Sequence, residues 1–460
     1  MSAPKNPTEK KLMSKINRRN FLQTAIAGGA LLGFGGLVHR LNLFNLPGKD
    51  FFYGVVSLYG ALSPKPTNNT GETFLALPDG FQYNVIGKAG APMTNGQPTP
   101  ILHDGMAVFM SATLPDSWIL IRNHENTNFA GTSGAVSGTP PYDALAGGGT
   151  TTLIIDKESR LVTNDFVSLS GTVRNCAGGA TPWQTWISCE ESTAGTSNGF
   201  AQPHGYCFEV QRLTDSTAAP LRQMGRFKHE AVAFDKASGI AYLTEDHSPA
   251  GFYRYIPNQY GNLAAGGRLQ MLAVANQPNY DTRTNQTVGT QLMATWVDIA
   301  EPNPPSAEVD LSAVFNQGFS LGGATFARLE GCFAGIEDIY FTSTNGGNQG
   351  LGQVWKYEAQ KNSKFGHLTL IFESPSADVF DFPDNLCFGG SGNLFICEDG
   401  SVDNYVKILS PNGAISEFAK NMVPGFENFE LTGCAFSPDL QTLFVNVQNP
   451  GLTFAIWGNW

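Results

Sequence analysis

Charge is scarce in this chain of 460 residues: only 15% are charged, and 28 lysines and arginines stand against 39 acidic residues, for a net charge of −11. With no basic surface in view to neutralise phosphates, the composition argues against nonspecific nucleic-acid binding. An anionic substrate would need a metal or an arginine to hold it. Cysteines number seven, an odd count without Cys-X-X-Cys spacing, so a complete disulfide framework is ruled out. No His-X-X-X-His or His-Glu-X-X-His spacing supports zinc. The chain also lacks a Gly-X-X-X-X-Gly-Lys-Ser phosphate loop, a long amphipathic helix and a coiled coil. Glycine (52) and proline (27) are abundant instead, which suits short strands joined by turns better than helices, whose interiors both residues weaken. A hydrophobic content of 42% is ample for a large core.

What is present is a repeat. Six times a short apolar strand runs into a polar or acidic tip: ILIRNHE (119–125), TWISCEE (185–191), AYLTED (241–246), IYFTSTN (339–345), LFICED (394–399) and LFVNVQ (443–448). Fuller units at 230–246, 385–399 and 433–447 add a preceding apolar strand and a polar turn, as a hairpin requires. The expected fold is all-β, a six-bladed β-propeller with long inserted loops. Stretches 131–150 and 256–290 read as surface loops, the segment up to about residue 100 reads as irregular, and the final run 454–460 is placed to complete a blade with N-terminal sequence.

The N-terminus carries Arg18 and Arg19 ahead of an apolar, glycine-rich run from Ala25 to Val38 without an acidic residue. This pattern resembles a twin-arginine signal, the route that exports folded proteins. Residues 1–40 are therefore expected to be a leader or membrane anchor and residues 41–460 the propeller domain. The protein is expected to meet the twin-arginine translocase and to reside in the periplasm or outside the cell, membrane-attached if the leader is kept. The run is shorter than a typical span of ~20 residues.

If the six strands are inner strands of one ring, their tips converge, and four of the six carry carboxylates: Glu125, Glu190 with Glu191, Glu245 with Asp246, and Glu398 with Asp399. Crowded carboxylates repel unless cations sit among them, and hard oxygen donors suit calcium; half of each pair could instead cap a turn or face solvent. Glu230, Asp384, Asn385 and Glu430 flank the repeats and could add oxygens or make turn hydrogen bonds. His124, His229 and His247 read as supporting rather than ligating residues. Cys176 lies in a glycine-rich loop, 171–183, from which a thiolate could reach a metal. Arg328 and Glu330 would share one face of an extended segment, the first to grip an anion and the second to ligate, or would form an ordinary ion pair.

Taken together, the paired-arginine leader, NHE (123–125), NCAGGATPW (175–183) with CEE (189–191), KHE (228–230), RLE (328–330), PDNL (383–386) and FSPDLQTLFVNVQNPG (436–451) resemble the PhoX family of alkaline phosphatases. The resemblance implies a six-bladed propeller carrying an oxide-bridged ferric pair and calcium ions over its axis, and hydrolysis of small phosphate esters. It implies catalytic roles for Cys176, Glu191 and Arg328, with Cys176 and Glu191 as ligands of Fe(3+). Glu125, Glu230, Glu330, Asp384 and Glu398 would share calcium or bridging roles, and Arg328 would hold phosphate oxygens. A lysine near the C-terminus expected of the family has no match here. The rival readings are a calcium-dependent propeller lactonase or arylesterase, which needs neither iron nor thiolate, and a non-catalytic, metal-stabilised binding module.

Overall fold

The computed structural model describes residues 58–361 and 363–460. The segment expected to be a leader, with Arg18 and Arg19, lies outside the described residues. Among them the fold is all-β and propeller-like, with one short α-helix, Ala313–Ser320, and no helix long and apolar enough to cross a membrane.

Five antiparallel sheets build it, with strands numbered along the chain. One has four strands: β4 (His103–Met110), β5 (Ser117–His124), β6 (Gly148–Asp156) and β7 (Val162–Thr172). A three-stranded sheet follows: β8 (Asn175–Ala180), β9 (Trp186–Glu190) and β10 (Cys207–Val210). A nine-stranded sheet runs from β11 (His229–Phe234) through β12 (Ala241–Glu245), β13 (Tyr253–Pro257), β14 (Gly267–Val274), β15 (Gln291–Asp298), β19 (Gly366–Glu373), β18 (Gln353–Ala359) and β17 (Asp338–Ser343) to β16 (Leu329–Ala334). Its end strands, β11 and β16, lie against each other, so it is nearly closed. The six-stranded sheet orders β1 (Ser63–Pro66), β2 (Thr73–Leu77), β23 (Ile415–Asn421), β22 (Tyr405–Leu409), β21 (Leu394–Glu398) and β20 (Pro383–Phe388). The last sheet joins β24 (Leu431–Phe436), β25 (Thr442–Val447) and β26 (Leu452–Trp457) to β3 (Gln82–Lys88).

That last pairing confirms that the C-terminal strand closes a sheet with N-terminal sequence, Trp457 opposite Gln82 and Leu452 opposite Lys88. From residue 58 onward it also corrects the reading of the segment up to about residue 100 as irregular. β1 and β2 extend one sheet at its outer edge and β3 completes another, and edge strands tolerate the prolines, Pro64 and Pro66, that obscured the first of them. Residues 256–290 are likewise not all loop, since they hold β14.

Six hairpins share one construction. The strands β4, β8, β11, β16, β20 and β24 each lie against the next, and β24 lies back against β4. Each carries a β-bulge near its start: the register slips after His103, Asn175, His229, Leu329 and Pro383, and one residue later, after Thr432, in the sixth. A bulge sets two residues against one and re-aims a side chain. The neighbouring strands meet so closely at the bulge that small residues are required. A Cβ on Gly105 would stand 2.5 Å from Ala177 Cα, one on Gly331 2.5 Å from the Asp384 carbonyl, and one on Gly433 2.6 Å from the Asp104 carbonyl. Side chains stitch the contact as well: Asn123 Nδ2 donates to the Cys176 carbonyl (3.1 Å), Thr342 Oγ1 to that of Asp384 (3.0 Å), and Asn446 Nδ2 to that of Asp104 (2.8 Å).

Candidate metal centre

The shared hairpin produces three rings of side chains. The second residue of each inner strand gives Asp104, Cys176, Glu230, Glu330, Asp384 and Thr432. The residue after each second strand gives Glu125, Glu191, Asp246, Thr344, Asp399 and Gln448, and the residue before each inner strand gives Leu102, Arg174, Lys228, Arg328, Phe382 and Glu430. The last two rings are tied pairwise through backbone N–H groups: Glu125 donates to the Leu102 carbonyl (2.9 Å), Glu191 to Arg174 (2.9 Å), Asp246 to Lys228 (3.1 Å), Thr344 to Arg328 (2.9 Å), Asp399 to Phe382 (2.9 Å) and Gln448 to Glu430 (3.3 Å). Leu102, Arg174, Arg328 and Phe382 hold positive φ angles of 52°, 54°, 42° and 48°. Non-glycine residues seldom adopt that conformation, and it turns the chain sharply into the bulge. Arg328 is therefore not in an extended segment, as its spacing from Glu330 suggested.

At the centre, donor atoms of Asp104, Glu125 and Cys176 lie within 4.8 Å of one another, as do those of Cys176, Glu191 and Glu230, and those of Glu230, Glu330 and Asp384. The Cys176 thiol reaches Glu230 Oε1 at 3.1 Å and Asp104 Oδ2 at 3.5 Å. Burial, and then the neighbouring carboxylates, push Asp104, Glu191, Glu230, Glu330 and Asp384 well above the usual carboxylate range, and Glu430 with them. Burial and the surrounding carboxylates also push the Cys176 thiol up. Cations offset part of this crowding. Arg174 Nε bridges Glu125 (2.6 Å) and Glu191 (3.0 Å), and Arg328 grips Asp246 through Nε (2.8 Å) and Glu330 through Nη2 (2.6 Å). Two buried oxygens, Asp104 Oδ1 and Glu230 Oε2, have no hydrogen-bond partner. A buried unpaired carboxylate oxygen is costly, and a cation among these donors removes that cost, so the residues present fit a metal cluster.

Of the residues singled out in the sequence, Cys176, Glu191, Glu125, Glu230, Glu330, Asp384 and Arg328 are brought together. Glu398 is not. Burial lifts its pKa to about 8, its Oε1 accepts the Asp381 N–H (2.9 Å), and the Lys407 ammonium stands 3.9 Å away. Strand alternation turns it away from the cluster and puts the next residue, Asp399, there instead: burial raises that carboxylate to about 6, Arg328 opposes the rise, and Glu125 and Asp246 add to it. Glu245 and Glu190 likewise serve the frame. Glu245 accepts from the Gly251 N–H and the Tyr253 hydroxyl, both at 2.8 Å, and Glu190 from the Val173 N–H at 2.9 Å and the Gly205 N–H at 2.8 Å. His124 is a supporting residue, held between the Ile101 carbonyl and Thr151 Oγ1, both at 2.9 Å. Asp104 escaped notice in the sequence. Aligning the inner strands HDGM, NCAG, HEAV, LEGC, PDNL and LTGC would have exposed it, because each carries its cluster residue in second place.

In solved structures the chain is similar to Pseudomonas fluorescens PhoX in complex with vanadate, a transition-state analogue, at 19% identity and a TM-score of 0.66, covering 88% of this chain and 98% of that one. More distant likenesses are a streptogramin B lyase (11% identity, TM-score 0.41, 83% and 98% covered) and a gluconolactonase from Xanthomonas campestris (11%, 0.39, 88% and 100%). No curated protein sequence matches it. The family model of alkaline phosphatase PhoX matches residues 57–164 and 158–451, so the chain belongs to the PhoX family of alkaline phosphatases and is a phosphoric ester hydrolase.

Proposed function

We propose that the three rings hold a cluster of iron and calcium ions with which this protein releases inorganic phosphate from small phosphate esters outside the cytoplasm. The observation that carries the reading is the convergence of Asp104, Glu230, Glu330 and Asp384 with one thiol, Cys176, burial first and then neighbouring carboxylates of the same cluster raising each acid. Cys176 and Glu191 are assigned to ferric iron, for which a thiolate among carboxylates is a fitting donor set. Glu125, Glu230, Glu330, Asp384, Asp104 and Asp399 are assigned calcium or bridging roles. When bound, the ions supply Lewis-acid charge to the phosphoryl group and lower the pKa of water.

The chain's own residues do the rest. Arg328, clamped by Asp246 and Glu330 but 32% exposed, keeps further guanidinium N–H groups that can donate to phosphate oxygens as charge spreads over the transferring group. The frame beneath is read as six blades, the nine-stranded sheet being two of them joined edge to edge through β15 and β19. The repeated bulge and the inner-strand order support that reading. Residues 1–40 are read as a twin-arginine leader preceding a single propeller domain, 41–460; replacing Arg18 and Arg19 by lysine is expected to leave the protein in the cytoplasm on cell fractionation, and unchanged export would refute the route.

Loading the purified full chain with ferric iron and calcium and assaying phosphomonoesters and diesters across pH tests the function. Hydrolysis that disappears on chelation is expected. A metal-replete chain that hydrolyses neither class at any pH would reject the proposal.

A further inference from the structure

The ring of residues preceding the inner strands is lopsided. Three adjacent hairpins contribute Arg174, Lys228 and Arg328, and the other three contribute Phe382, Glu430 and Leu102. The three cations form an arc on one side of that ring, and their side chains remain 36%, 24% and 32% exposed. They differ in how far they are committed. Arg174 is held at 2.6 and 3.0 Å by two carboxylates, and Arg328 at 2.8 and 2.6 Å by two others. Lys228, between them, makes one contact, 3.3 Å from Nζ to Glu191 Oε1. That is long for a charge-assisted hydrogen bond, which is normally about 2.7–2.9 Å, and an ammonium has three donors to place.

We propose that Lys228 is a phosphate-binding residue that selects phosphomonoesters over phosphodiesters. This rests on the phosphatase reading above. A phosphate seated over the cluster beside Arg328 lies within the same arc, and Lys228 is its most weakly held cation, with one contact at 3.3 Å where each arginine has two at 2.6–3.0 Å. A monoester dianion carries twice the charge of a diester monoanion, so each cation on the arc favours it about twofold in interaction energy. A diester must also place a second organic group against the charged arc, where it would displace water from Lys228 without supplying an acceptor. The opposite side of the ring, with Phe382, Glu430 and Leu102, receives the single organic group of a monoester against the two apolar side chains.

The test compares metal-loaded wild type with Lys228→Met and Lys228→Arg. Three measurements are made: kcat and KM for an aryl phosphomonoester and the matching bis-aryl diester, calorimetric affinity for inorganic phosphate, and metal content. Loss of one charged hydrogen bond corresponds to roughly 10- to 100-fold. Lys228→Met is expected to weaken phosphate binding and monoester kcat/KM by that factor, to lower the monoester-to-diester ratio at least several-fold, and to keep its metals; Lys228→Arg is expected to restore most of each. Equal losses on both esters, or unchanged phosphate affinity in Lys228→Met, would overturn the proposal. Should Lys228→Met lose metal, the proposal then stands or falls on Lys228→Arg: a preserved ratio and phosphate affinity uphold it, and wild-type metal content with an altered ratio overturns it. A wild type inactive on every ester would defeat the phosphatase reading, whereas the calorimetric comparison would still decide the role of Lys228.

Discussion

Adjacent acidic residues with opposite duties are the feature of this protein that single substitutions can resolve. Asp399 joins the cluster, whereas Glu398, one position earlier, faces Lys407 and the Asp381 N–H inside the sheet packing. Asp399→Asn is expected to lower metal content and activity with little loss of fold, and Glu398→Gln to cost about 1–3 kcal/mol of stability while activity per folded molecule is kept; chemical denaturation and steady-state kinetics on both variants separate the two effects. The reverse pattern would exchange the assignments. Which member of each acidic pair faces the axis was not readable from the tips alone, because a one-residue change of register moves every side chain of a strand to the other face. The rule became visible only when Thr344 and Gln448, at the same place in hairpins without an acidic tip, joined Glu125, Glu191, Asp246 and Asp399 in one ring.

At the scale of elements, the hairpins were legible and their surroundings less so. The period-two apolar runs and acidic tips located six strands, β5, β9, β12, β17, β21 and β25, because burial on both faces makes such strands strongly apolar. Strands β2 and β3 pair with partners more than 300 residues away in sequence, and β1 adds to β2 at the sheet edge; no local pattern encodes such a pairing. The bulge was also hidden, since it depends on contact between hairpins. Its demand for small residues is testable at Gly331. A Cβ there would meet the Asp384 carbonyl at 2.5 Å, so Gly331→Val is expected to cost about 1–3 kcal/mol or more in denaturant unfolding and to disturb metal binding through Asp384. A variant as stable as wild type would show that the strands can part there without penalty.

For the molecule as a whole, a net charge of −11 and a buried group of carboxylates make stability depend on what neutralises them. In the metal-free chain Asp104, Glu230, Glu330, Asp384 and Glu430 have raised folded-state pKa values, and Asp399 is pushed up to about 6. A carboxylic acid whose folded pKa exceeds its unfolded value of about 4 binds more protons folded than unfolded as pH rises past 4. The sign is therefore a loss of stability with increasing pH, from the unfolded carboxylate range through about 6 and beyond. The apparent melting temperature of chelated protein is expected to fall from pH 5 to pH 8, and iron with calcium is expected to raise it most at pH 8, through binding to the folded state alone. A melting temperature indifferent to both pH and metal would mean that the carboxylates are not gathered as described.

Elemental analysis of the full chain expressed with iron and calcium available, beside Cys176→Ala prepared identically, tests the central assignment most directly. Wild type is expected to retain both elements and to hydrolyse a phosphomonoester, and Cys176→Ala to lose its iron and most of that activity. Full iron content in Cys176→Ala, or an active wild type free of iron, would contradict a cluster built around that sulfur.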